Sequence, residues 1–586
     1  MATRDFEVRM ISELRPELLV SVQNGRIFMH LFRRRLATLG LVTLIVLSNA
    51  PAMAEPTAAS EASAHILQAE IALQGNEYRK AASEYRKAAE KSRDPEVARK
   101  ATLVGMTYGF DREAIRAAER WLKLDRDNDE ARAILGQLHF RLGELREARR
   151  YYADLIAKDR DTAGEKLMLL VRYLSDEGDP QDADKLMRAL AKPYRDSALA
   201  HFAVATMAMR AGETEHAIEA ASRAVELDPS NLRAKLLYAR ALLVHGETDK
   251  AIEYTARIIG DDPDPDPDAR MELAIMYMMT DRDDDALSQV NQVLLEQPAR
   301  TDALRLMAII NFRQGHLDAA WDDFNDLLRT GEHRMDALYY LARICDYRGE
   351  YERAVRYYSE VTFGSNALIA QRRASALIAH EIGDVEAAIL HLDRFAESSP
   401  EFAVDMTVAK AQLLASLDEY DESLAFYDKA LGFRPDDESI VLGRAEILLK
   451  MGRVDDAIAS YDDAVKRWPK SAMTLNAYGY TLADRTDRYE DAEQLIRKAL
   501  KYDPESPAII DSMGWVLYKL GRHEEALVEL QRALSMLDDP EVAAHVVEVL
   551  AVMGRRDEAL DVLVDAEEKT PDSPLLQNVR ERFFKD

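Results

Sequence analysis

A small residue recurs along this chain every 33 to 35 positions, and no other feature restricts its fold so severely. Ala81, Ala114, Ala148, Ala183, Ala217, Ala251, Ala286, Ala320, Ala354, Ala388, Ser423, Ala457, Ala492, Ala526 and Ala559 hold this register. Twelve residues further on a proline recurs at Pro229, Pro263, Pro298, Pro400, Pro435, Pro469, Pro504 and Pro571. A proline there ends a helix and forces an extended turn before the next. A period of this length marks a supersecondary unit that cannot bury its own apolar face and must stack on copies of itself.

The stretch Pro507 to Asp538 states the unit most cleanly. Two runs of helix-period hydrophobicity, Ile509 to Leu520 and Glu524 to Ser535, flank Gly521 and Arg522, which predicts a helical hairpin. Two antiparallel helices approach closely only where a side chain is as small as Gly or Ala, so Gly514 is expected to face Ala526. Met513, Leu517, Tyr518, Leu527 and Leu530 fill the space around them.

At these positions the chain resembles the tetratricopeptide repeat family, whose 34-residue unit carries Leu-Gly, Tyr, Gly, Ala, an aromatic, Ala and Pro at fixed offsets. Close matches are Leu135, Gly136, Gly143, Ala148 and Tyr152; Gly349, Tyr351, Ala354 and Tyr358; and Tyr420, Tyr427, Ala430 and Pro435. Ser423 departs from the pattern, and one extra residue lies between Gly479 and Ala492. The resemblance implies an all-α, right-handed superhelical solenoid of about fifteen hairpins over residues 62–571. A capping helix is expected in 572–586, where Leu575, Leu576, Val579 and Phe583 are at helical spacing.

Composition narrows the function. A formal charge of −28 over 586 residues argues against nucleic acid as a partner and suits solvated helix faces. The single cysteine, Cys345, occupies a position normally filled by a buried apolar side chain, so a core thiol is expected, and an internal disulfide or Cys-based zinc site is excluded. Phosphate loops, nucleophile elbows and H-E-x-x-H or C-x-x-C motifs are missing from the sequence, and His380, His391 and His545 have no partner at metal-ligand spacing. The aspartates of Gly260 to Asp268 lack the glycine and the closing glutamate of a calcium loop. No enzyme activity, cofactor or metal is therefore expected.

Residues 1–54 read as an N-terminal extension followed by an export signal. Translation from Met29 would give Arg33, Arg34 and Arg35, an apolar run Leu36 to Leu47, and an Ala52-Met53-Ala54 cleavage site. The run is too short for an ordinary membrane span, which needs about 20 residues. Cleavage after Ala54 and release into the periplasm, possession of no lipid anchor, and a position peripheral to the outer membrane are the expectation; an uncleaved inner-membrane anchor through Leu36 to Leu47 is the alternative.

With no catalytic constellation, function must lie on the groove of the stacked hairpins. In the family it resembles, the first helix of each unit lines the concave face. The outward positions hold Phe202, Met209 and Arg210; Arg240; Met271, Met278 and Met279; Arg305, Phe312 and Arg313; Tyr339, Tyr340, Arg343 and Tyr347; Asn476, Tyr480 and Asp484; and Asp511, Ser512, Trp515 and Tyr518. Arginine, aromatics and methionine are enriched at protein interfaces, although Met271, Phe312 and Tyr339 suit packing between units equally well. Trp515, beside Gly514, is expected to face outward and to add nothing to hairpin packing.

The runs Asn476 to Tyr489, Asp511 to Tyr518 and Asp539 to His545 resemble a subgroup of Gram-negative envelope proteins, the lipoprotein binding partners of carboxy-terminal processing proteases. That resemblance implies a non-catalytic adaptor holding such a protease and its substrates, peptidoglycan hydrolases among them. The chain departs from the subgroup in having no lipid-anchoring cysteine after the apolar run. A generic periplasmic scaffold for envelope or exopolysaccharide assembly is the alternative.

Overall fold

The computed structural model describes residues 58–584 apart from Pro263. The proposed signal segment, with its Leu36 to Leu47 run and the cleavage site, lies outside the described residues. Every regular element that is described is helical.

Two units are described separately, one ending at Asp228 and one beginning at Pro229. The first holds five hairpins: α1 (Ala58–Gln74) with α2 (Tyr78–Lys91), α3 (Pro95–Thr107) with α4 (Asp111–Leu124), α5 (Asp129–Arg141) with α6 (Leu145–Ala157), α7 (Ala163–Asp176) with α8 (Pro180–Ala191), and α9 (Ala198–Ala211) with α10 (Thr214–Leu227). The second holds ten. They are α11 (Leu232–Val244) and α12 (Thr248–Gly260), α13 (Pro267–Met279) and α14 (Asp283–Glu296), α15 (Thr301–Arg313) and α16 (Leu317–Thr330), α17 (Arg334–Tyr347) and α18 (Tyr351–Ser359), and α19 (Ala367–His380) and α20 (Val385–Ser398). A 3-10 turn, Pro400–Phe402, leads into α21 (Ala403–Ser416) and α22 (Tyr420–Phe433), followed by α23 (Glu438–Lys450) and α24 (Val454–Arg467), α25 (Ala472–Arg485) and α26 (Tyr489–Tyr502), α27 (Pro507–Lys519) and α28 (His523–Met536), and α29 (Pro540–Val552) and α30 (Arg556–Lys569). A last helix, α31 (Pro574–Phe583), closes the described chain.

All fifteen residues of the small register, Ser423 included, are fully buried. The close approach they permit is tight. A Cβ placed on Gly514 would lie 2.5 Å from Leu530 Cγ and 3.1 Å from the Ala526 carbonyl oxygen, so any larger residue there must push the hairpin apart. Ser423 is accommodated because its hydroxyl donates to the Ala411 carbonyl at 2.8 Å, which satisfies the one polar group it adds to the interior.

The turns follow an equally regular rule. Five residues before the small position the backbone enters the left-handed region, at Gly521 with φ 77°, and at Asn76, Asp281 and Asp418 where glycine is replaced by residues that tolerate it. The next amide then closes the helix end, as Arg522 N does on the Leu517 carbonyl at 2.9 Å. Hairpin α25–α26 alone among those described lacks the left-handed residue, and it is the hairpin with the inserted position. Its helix ends in extended geometry at Thr486, whose hydroxyl donates to the Leu482 carbonyl at 2.7 Å and accepts from the Arg488 amide at 3.1 Å.

Many first helices start from a side-chain cap, such as Asn128, Ser197, Asn231, Asp437, Ser471 and Asp539. Second helices mostly enter straight from the left-handed turn, without one. Cys345 is fully buried among Leu338, Ala342, Ala354 and Tyr358, and burial pushes its thiol up to about 11, which keeps it protonated and inert at neutral pH. The C-terminal helix buries Leu576 and Val579, whereas Leu575 is exposed. The Asp-Pro segment is a turn between α12 and α13, inside the second unit. No helix among the described residues is long and apolar enough to cross a membrane.

Candidate protein-binding site

Two clusters on first helices of the second unit gather most of the residues that the sequence singles out. One lies around Arg343 on α17 and the other around Trp515 on α27.

At the first, Phe312 from α15 meets Tyr340 edge-on at 5.2 Å and Tyr347 at 5.8 Å between ring centroids. Tyr340 is stacked on Phe324 of α16 at 4.8 Å, which fixes its plane, and Tyr339 stands edge-on to it at 5.4 Å. The Arg343 guanidinium sits over these rings, 4.5 Å from the Phe312 centroid and 5.8, 5.8 and 5.9 Å from those of Tyr339, Tyr340 and Tyr347. Beside it opens a hollow of about 620 Å³, floored by Met278, Ile309, Phe312 and Leu317 and rimmed by Arg313 and Tyr347. Tyr347 is 66% exposed.

The neighbouring arginines are tied down. Arg305 pairs with Asp336 at 2.5 Å, and Arg313 with Asp281 at 2.6 Å and Asp283 at 3.2 Å; Arg240 pairs with Glu272. Arg343 has no carboxylate within pairing distance among the described residues, and its guanidinium makes one long hydrogen bond, to the Tyr347 hydroxyl at 3.5 Å. A half-buried guanidinium with five N–H donors, most of them free, is a polar group waiting for an acceptor.

The second cluster is closed on itself. Trp515 is 6% exposed and stacks on His545 of α29 at 4.1 Å, with Tyr518 at 5.3 Å and the Lys519 ammonium 4.5 Å above its ring. Its indole Nε1 has no hydrogen-bond partner among the described residues. His545 Nδ1 bonds Asp511 at 3.0 and 3.2 Å. Burial alone would lower the His545 pKa; the Asp511 bond, with the charges of Asp511, Glu541 and Glu548, raises it above the ordinary value. Tyr480 donates to Glu541 at 3.0 Å. Tyr518 donates to Glu548 at 3.1 Å, and burial with that carboxylate pushes its hydroxyl up to about 12. Arg582 of α31 grips Glu548 with two bonds of 2.8 and 3.0 Å.

The expectation for Trp515 is therefore corrected. It does not face outward, because the first helix of the following unit lies over it, and the indole is the central plate of a stack that joins α27 to α29. Asp511, Ser512, Met271 and Phe312 are also buried, so these groove positions pack between units, although Phe312 still offers a ring to Arg343. Asn476 is half-buried, with its side-chain oxygen unpartnered among the described residues. Arg210 donates to the Ser175 carbonyl, Asp484 pairs with Arg485, and Phe202, Met209 and Met278 are half-buried; Met279 is exposed. The sequence reading missed His545, Glu541, Glu548 and Arg582 as members of the cluster. Their signal was the separation of complementary charges by one repeat: Asp511 and His545, and Glu548 and Arg582, are each 34 residues apart.

Comparison with known proteins accounts for this architecture. Two models described as tetratricopeptide repeat match the chain, one at residues 112–163, 168–231, 305–367, 373–438 and 442–508, and the other at 208–267 and 486–545. A TPR repeat-containing protein of Pseudomonas aeruginosa is 30% identical over 491 residues, spanning 82% of this chain and 81% of that one. The chain belongs to the tetratricopeptide repeat family. Among solved structures, yeast Tom70 is 15% identical over 89% of this chain and 99% of its own, with a TM-score of 0.37. A thermophilic TPR protein of Thermus thermophilus is 26% identical over 31% of this chain and 96% of its own, with a TM-score of 0.28. Tetratricopeptide arrays bind other proteins or peptides and are generally non-catalytic scaffolds, and this chain is built as such a repeat array.

Proposed function

We propose that this tetratricopeptide protein is an adaptor of the Gram-negative cell envelope that holds a carboxy-terminal processing protease and its substrates, including peptidoglycan hydrolases, on the face lined by its first helices. The observation that carries the reading is the Arg343 hollow: a ring-walled surface with free donors, presented by consecutive repeats of one scaffold. The resemblance of the runs between Asn476 and His545 to protease-binding partners supports the choice of partner, and the segment from Met29 to Ala54 supports export to the periplasm.

The mechanism needs no chemistry from the adaptor. Two partners held on one array meet at an effective concentration towards the millimolar range, so cleavage accelerates without any new catalytic group. The test is retention of a processing protease from envelope extract by the purified protein, together with the rate at which that protease cuts a hydrolase substrate. Retention with faster cleavage is expected. Neither effect would leave a binding scaffold for other envelope partners. Sequencing the N-terminus of protein isolated from cells tests export: a start at Glu55 is expected, and an intact Leu36 to Leu47 run would mean an inner-membrane anchor instead.

A further inference from the structure

Arg343 separates what this groove selects from the mere fact that it binds. Its stem and guanidinium are enclosed by Phe312, Tyr339, Tyr340 and Tyr347, at ring-centroid distances from 4.5 to 5.9 Å. The rings orient the planar fork and leave its donors open at the surface. The neighbouring arginines have carboxylates at 2.5 to 3.2 Å, and Arg343 has none among the described residues. Arginines without a carboxylate partner occur elsewhere in the described chain, but among the described residues Arg343 alone carries its guanidinium over four aromatic rings, beside an apolar hollow.

The hollow adds the second half of the recognition. Met278, Ile309, Phe312 and Leu317 form an apolar floor next to that charge, wide enough at about 620 Å³ for one large side chain. The guanidinium stands over the rings, so a ligand whose carboxylate pairs with it must also cover them. A chain terminus carries its carboxylate directly on the backbone and would bring peptide bonds against the rings; a glutamate side chain lays its two methylenes on them instead.

We infer that the hollow between α15 and α17 is a docking site for an extended peptide segment in which a glutamate, paired two-pronged with Arg343, adjoins a large apolar residue seated on Ile309 and Phe312. This deepens the adaptor reading and rests on it only for the groove being a protein-binding surface. It assigns to the partner a glutamate-apolar segment internal to its chain.

The experiment is fluorescence anisotropy of the purified full-length protein with fluorescein-labelled peptides blocked at both ends, Gly-Ser-Gly-Glu-Phe-Gly-Ser-Gly and the same peptide with Gln for Glu. The Glu peptide is expected to bind at least about tenfold more tightly, the scale of a charge-assisted bidentate contact. Arg343→Met, which keeps a stem against the rings, should abolish that discrimination with its melting transition intact, and Arg343→Lys should keep only a fraction of it. Equal binding of the Glu and Gln peptides, no binding of either, or discrimination that survives Arg343→Met each overturns the proposal. So does a Gln peptide with a free C-terminal carboxylate that binds as tightly as the blocked Glu peptide, since the site would then read chain ends. Peptide discrimination without retention of a processing protease upholds this site and refutes the adaptor role; protease retention unaffected by Arg343→Met and without peptide discrimination does the reverse.

Discussion

The clusters around Arg343 and Trp515 are built from the same residue types, at corresponding places on first helices, and they behave oppositely. Around Trp515 two charged pairs close across one repeat: Asp511 with His545 and Glu548 with Arg582. Around Arg343 the carboxylates are already taken, Asp336 on its own helix by Arg305 and Asp281, just after α13, by Arg313. Aromatic and charged side chains on a groove therefore do not by themselves make a binding site. Pairing across the repeat turns them into an inter-unit weld, and a missing partner leaves a receptor.

The largest effect should come from the weld. Trp515→Ala removes a buried plate between α27 and α29 and should cost about 3–5 kcal/mol in denaturant unfolding, with amide exchange in both helices accelerating most. A loss below about 1 kcal/mol would return Trp515 to the surface and erase the contrast. Next is the ion pair beneath it. Asp511→Ala, His545→Ala and the double variant should give a coupling energy of about 1–3 kcal/mol, because either single change strands a buried polar partner. Additive losses would mean that the two groups act independently.

Proton linkage sharpens the comparison further. The folded pKa of His545 lies above its unfolded value of about 6.5, so its stabilising contribution is complete below that pH and is lost as pH rises through the folded value. Asp511, Glu541 and Glu548 are the charges that hold the proton there. Exchange protection of α29, corrected for intrinsic rates, should fall as pH rises above about 6.5 and through the raised folded value, and the fall should vanish in Asp511→Ala. An unchanged profile would contradict the raised pKa.

The smallest effect on stability is expected at the receptor. Arg343→Met should change unfolding free energy by less than about 1 kcal/mol, the scale of a partly exposed cation–ring contact, although it abolishes peptide discrimination. A loss as large as that of Trp515→Ala would show that Arg343 too is a structural pin.

The hairpins were legible in the sequence because each depends on contacts between residues close together in the chain. Gly514 against the Ala526 carbonyl, the left-handed residue at Gly521, and Ser423 in place of alanine are local matters, restated in every repeat until noise averages out. Even the irregular turn at Thr486 was marked in advance by the extra residue between Gly479 and Ala492. The groove was legible only as a set of positions. Arg343, Tyr340 and Tyr347 could be placed on one face, but nothing in their own repeat says that Asp336 and Asp281 answer to other arginines.

The period, the helix pairing, the buried small register and the inert core thiol could all be read from the residues alone, since each follows from steric fit and backbone geometry inside one hairpin. Which polar groups close on each other was settled in three dimensions. That outcome depends on how successive first helices are rotated and spaced: the rotation lays His545 over Trp515 and lets Tyr480 reach Glu541 two repeats away, 61 residues along the chain, while it leaves the guanidinium of Arg343 facing an empty hollow.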